Sequence, residues 1–94
     1  MDTNEAVTLL GDALDRFRVQ SYEALVRRID AEPVTTESVG RSGTSYQIEC
    51  TFMWDDKPGG NIRVMASVDD GGWRSFAPIT RSFIKAADGT FVGE

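Results

Sequence analysis

From Thr44 to Trp54 the chain alternates. Tyr46, Ile48, Cys50, Phe52 and Trp54 take the even positions, with Ser45, Gln47, Glu49 and Thr51 between them, and Met53 alone breaks the polar parity. A period of two sends these sets to opposite sides of an extended strand, so one side of a sheet must be covered. Ile62, Val64, Ala66 and Val68 repeat the pattern around Arg63, Met65 and Ser67. The cover is at the front of the chain. Ala6, Leu9, Leu10, Ala13, Leu14 and Phe17 recur at helical steps, and Ser21, Ala24, Leu25 and Ile29 continue the stripe more weakly. This periodicity predicts one helix over the first thirty residues. Asp2 and Glu5 have capping-box-like spacing, with Thr3 and Asn4 as alternative caps. Asp12 with Arg16 and Glu23 with Arg27 are acid-before-base pairs for the wet side. Val7, Val19, Tyr22 and Val26 widen the apolar arc, so the helix bends in its second half or is contacted on two sides.

Ala31-Glu32-Pro33 ends the helix. Val34 to Val39 is β-branched and reads as a strand, and Gly40-Arg41-Ser42-Gly43 as a turn. Asp55 to Gly60 is a loop, and Asp69-Asp70-Gly71-Gly72 is a tight-turn signal. Trp73 to Lys85 reads as a last strand interrupted at Pro78, which needs an edge or a bulge because proline has no N–H to donate. After Asp88-Gly89, Phe91 and Val92 fold back, which makes a fifth strand if the return pairs. The 94 residues form one domain, 1–94. The fold class is α+β, with one long N-terminal helix packed on a four- or five-stranded antiparallel meander.

This order of elements, carried by the Leu9–Phe17 stripe and the strands Tyr46–Trp54 and Ile62–Val68, resembles the cystatin-like fold. It is also similar to trimmed members of the nuclear-transport-factor-like group. The resemblance implies a small two-layer domain of bacterial type. Cystatin inhibitors carry a Gln-x-Val-x-Gly hairpin loop, whereas the loop here reads Glu37-Ser38-Val39-Gly40-Arg41-Ser42-Gly43, without the Gln and with Val beside Gly. Enzymes of the related fold place His, Asp or Tyr in a conical pocket, and this chain has no histidine. The resemblance therefore implies a fold and no activity.

Composition excludes further classes. With no histidine the commonest general base and metal ligand is missing. A net charge of −5 argues against a nucleic-acid partner, which requires a basic face. The single cysteine, Cys50, rules out an intrachain disulfide framework. No apolar run is long enough for a membrane, and the acidic start lacks a secretory pattern, so a reduced, cytoplasmic compartment is expected.

Candidate chemistry is sparse. Asp55-Asp56 and Asp69-Asp70 could bind a cation, but they lie at opposite ends of the Ile62–Val68 strand, roughly 20 Å apart. They read as turn formers. Gly59-Gly60 and Gly71-Gly72 open no helix, so hairpin geometry explains them better than phosphate binding. Cys50 falls on the apolar parity and has no base, which makes it a core residue. Ser75, Thr80 and Ser82 lack an activating base. No cofactor and no catalytic set is expected.

The side of the sheet away from the helix is more informative, because it carries Met53, Arg63 and Met65. A two-residue turn at Asp70-Gly71 would align Trp73 with Val68 and send Phe76 outward beside Met65. A three-residue loop ending at Gly72 would reverse the two aromatics. Either way an aromatic, Trp73 or Phe76, joins two methionines, with Arg63 or Arg74 at the rim, and these are interface-enriched types. Three outcomes are open: a homodimer through this face, cover by Phe83–Val92, or scattered exposure. The expected function is a non-enzymatic interaction or binding module, homodimeric through the outer face, with an unidentified protein partner as a further class. The alternative is a small-ligand pocket or enzyme between helix and sheet, lined by Tyr22, Tyr46, Cys50 and Trp54.

Overall fold

Helix α1 (Thr3–Arg18) begins where the Asp2 carboxylate accepts the Glu5 N–H at 3.1 Å, which supplies one of the orphan donors of the first turn. The computed structural model describes residues 2–70 and 79–94. Ala6, Leu10, Ala13, Leu14 and Phe17 are buried along one face of α1, as the periodicity predicts.

The single long helix is not formed. The chain leaves α1 at Val19 and starts α2 (Tyr22–Ile29) at Ser21, whose hydroxyl accepts the Ala24 N–H at 3.1 Å from an extended backbone. The physical reason for the break lies partly across the fold. Lys85 Nζ donates to the carbonyls of Arg18, at 3.1 Å, and Gln20, at 2.7 Å, and so closes the end of α1 with a fixed positive charge. A broken layer also follows a twisted sheet better than one straight rod. Helix α1 packs mainly over the third and fourth strands and α2 over the second.

The four strands are β1 (Val34–Val39), β2 (Ser45–Trp54), β3 (Ile62–Asp69) and β4 (Ile79–Lys85), in the order β1-β2-β3-β4 with every pair antiparallel. Helices on one side of this meander give the expected α+β layering. Phe52 stands opposite Val64 and Cys50 opposite Ala66, as parity requires. Tyr46, Ile48, Cys50, Phe52, Ile62, Val64, Ala66, Val68 and Phe83 complete a core with the α1 stripe and Leu25. Phe17 meets Phe52 edge-on, with ring centroids 5.0 Å apart.

The last strand departs from expectation. Val68 pairs with Ile79 rather than with Trp73, and Met65 stands opposite Ser82 rather than beside Phe76. This register differs from both expected alignments of the last strand. Trp73, Arg74 and Phe76 lie outside the described residues. The C-terminal return makes one bridge, Lys85 with Phe91, in place of a fifth strand. It does not cover the outer face. Phe83 is buried on the helix side, and Phe91 packs against it there at 5.7 Å between ring centroids.

Candidate functional site

Three apolar residues surround Arg63 on the helix-free face. Met53 and Ile84 flank Arg63 across the strands, and Met65 lies between Thr51 and Ser82. All three apolar side chains are half-buried. Arg63 does not stand free at a rim. Its Nε and Nη2 donate to Asp55 Oδ1 at 2.9 and 2.8 Å, and its Nη1 to Ser82 Oγ at 3.0 Å. The guanidinium is thus held across the face by β3's two flanks. Farther along, Thr35, Glu49, Ser67 and Thr80 form one polar row, and Glu37, Gln47 and Asp69 another. Among the described residues the apolar patch therefore occupies one end of the face.

A second region lies where α1 starts. Glu5 Oε2 accepts from Ser42 Oγ at 2.7 Å and from Tyr46 Oη at 3.0 Å, and Glu5 Oε1 accepts the Ser42 N–H at 3.1 Å. Hydrogen bonds from Ser42 hold this carboxyl below its ordinary range, and the tyrosine adds to them. Burial lifts the Tyr46 phenol above its usual range, and its bond to Glu5 adds to the shift. Beside the cluster is an open groove of about 580 Å³ between Asp2, Glu5, Leu9 and Asp12 of the helix end and Val39 and Arg41 of the β1–β2 hairpin. The close Ser42–Glu5 pair superficially suits acid–base chemistry. A carboxylate stabilised as the anion by three donors is a weak base, however, and the Ser42 hydroxyl also contacts Thr44 Oγ1 at 3.0 Å. The cluster fastens a hairpin to a helix.

Tyr22, Tyr46, Cys50 and Trp54 do not converge on one cavity. Tyr46 and Trp54 are eight residues apart on β2, about 27 Å along the strand. The Tyr22 hydroxyl is used to tie α2 to the 55–61 loop through the Gly60 carbonyl at 2.8 Å, and Tyr46 is 1% exposed with its hydroxyl on Glu5. Cys50 is buried, and desolvation pushes its thiol up. Trp54 is half-buried at the end of the same strand face.

The aspartates serve the loops. Asp56 Oδ1 accepts the N–H of Lys57 at 2.8 Å and of Asn61 at 2.9 Å, which lowers its pKa, and Asp88 does the same for Thr90. Sequence reasoning missed two residues that organise the fold. Glu5 was legible only as a capping partner, yet its carboxylate reaches Ser42 rather than its own helix start. Lys85 lies on the core parity of β4, two residues after Phe83, and that parity was the available signal. Comparison with known proteins finds no match to a family model, a curated protein or a solved structure.

Proposed function

We propose that this chain is a non-enzymatic interaction module that self-associates through the helix-free face of its sheet. The carrying observation is the placement of Met53, Met65 and Ile84 at one end of that face, around an arginine already fixed to Asp55 and Ser82. An arginine held in place loses little freedom on binding, and methionines adapt to a facing surface. The described polar clusters support a binding role over catalysis, since their carboxylates and hydroxyls are spent on one another or on backbone N–H groups. The likeness to the cystatin-like fold stays part of this reading. It is supported by helices followed by a four-stranded meander, and it brings no activity with it.

The test is light scattering of the purified chain across a concentration series. A mass of at least twice the chain is expected, and Met65→Glu should lower it while leaving the circular dichroism unchanged. A wild-type chain that is monomeric at millimolar concentration overturns the proposal.

A further inference from the structure

The two edges of the sheet are treated differently. Alternation of the ladder fixes which backbone groups point outward. Gly40 N–H donates to the Thr44 carbonyl at 2.9 Å, in register with the β1–β2 ladder, so the even positions of β1 face β2. The N–H and C=O groups of Thr35, Glu37 and Val39 therefore point away from the sheet. On β4 the outward positions are Thr80, Ser82 and Ile84. There the Ile84 carbonyl is taken by Val92 N–H at 2.9 Å and the Thr80 carbonyl by Arg81 Nη1 at 2.7 Å. The C-terminal return and an arginine thus occupy two of the outward carbonyls of this edge. Edge β1 is six residues long, with no bulge, proline or lysine inside it, and among the described residues its outward groups meet no partner. Unpaired strand edges of this kind add another strand.

The geometry points to a second copy of this chain as that strand, pairing β1 with β1 antiparallel about a two-fold axis through Thr36. Only outward positions can pair, so odd must meet odd. A centre at Glu37 would set two glutamates directly opposite each other, which is unfavourable. Centring on Thr36 places Thr35 opposite the partner's Glu37, Val34 opposite the partner's Ser38, and Val39 opposite the partner's Pro33. Thr35 and Glu37 then exchange both backbone bonds. Pro33, which has no N–H, needs only to offer its carbonyl to the partner's Val39. Val39 is 69% exposed in the single chain, and this register covers it. The product is one eight-stranded sheet with both helix layers on the same side. This contact is independent of the outer-face reading, because it uses an edge that a face-packed dimer leaves open.

Cysteine crosslinking on the full chain tests it. Thr36 on the axis forms a non-hydrogen-bonded pair, with Cα atoms about 4.5 Å apart, within disulfide reach. Buried Cys50 does not compete. Under diamide, Thr36→Cys should give covalent dimer as the main species on a non-reducing gel. Ser38→Cys, whose copies would lie roughly 13 Å apart along the strands, should stay monomeric. As a second measure at exposed positions, a mixture of Thr35→Cys and Glu37→Cys chains should crosslink to each other. All chains are also run with Met65→Glu, so loss of an outer-face dimer leaves the crosslink intact. Monomer throughout, or Ser38→Cys linking as readily as Thr36→Cys, overturns the proposal.

Discussion

The ammonium of Lys85 lies 2.7 Å from the carbonyl oxygen of Gln20, across 65 residues of sequence. With the bond to Arg18 it serves two carbonyls that the end of α1 leaves without helical donors, and it is 8% exposed while doing so. Lys85→Met keeps the apolar stem and removes the donor. Two carbonyls then lose their partner, at a cost of about 1–3 kcal/mol. Urea unfolding followed by circular dichroism should show that loss. Lys57→Met, at the exposed lysine of the 55–61 loop, should stay within about 0.5 kcal/mol of wild type. Equal effects of the two substitutions would contradict the capping role.

Glu5 sets a pH dependence whose sign follows from its partners. Its folded-state pKa is lowered, first by the Ser42 hydroxyl, so its stabilising effect is fully present above the ordinary carboxylate range. It is lost as pH falls through the lowered value. Asp56 and Asp88 shift in the same direction and add to the acid sensitivity. Glu5→Gln should lower the melting temperature at pH 7 and flatten its decline between about pH 5 and pH 3. Gly40→Ala provides an independent check. A Cβ at Gly40 would fall on the Glu5 carboxylate, so the substitution must displace that side chain from Ser42 and Tyr46. Its acid profile should match that of Glu5→Gln, and the double variant should lose little beyond either one alone.

The parts of this fold that were legible in the sequence are those set by local period. The pairing of Phe52 with Val64 follows from alternation in two long strands, and the buried face of α1 from one apolar stripe. The parts that were not legible depend on distant groups. Ser21 carries the cap of α2, but Leu25 and Ile29 continue the apolar spacing and hide the break, and the lysine that closes α1 comes from the last strand. The register of β4 depends on where its connection returns, which no periodicity encodes, so Ser82 occupies the place beside Met65 that an aromatic was expected to fill. In the candidate site, parity placed Met53 and Met65 together on one face. The fixing of Arg63 by Asp55 and Ser82 needed the register of three strands.

The break between the helices can be tested at its cap. Ser21 holds an extended backbone, and its hydroxyl takes the Ala24 N–H at 3.1 Å, one of the first donors of α2. Ser21→Ala leaves that N–H without its partner and should cost about 1 kcal/mol, the usual effect of removing an N-cap. Ser21→Asp retains an acceptor and adds a negative charge at the positive end of the helix, so it should match or exceed wild-type stability. In an unbroken helix the order would reverse, because alanine is the better interior residue and aspartate the worse. Chemical denaturation of the three chains distinguishes the cases, and a more stable Ser21→Ala would mean that residues 3–29 form one helix in solution.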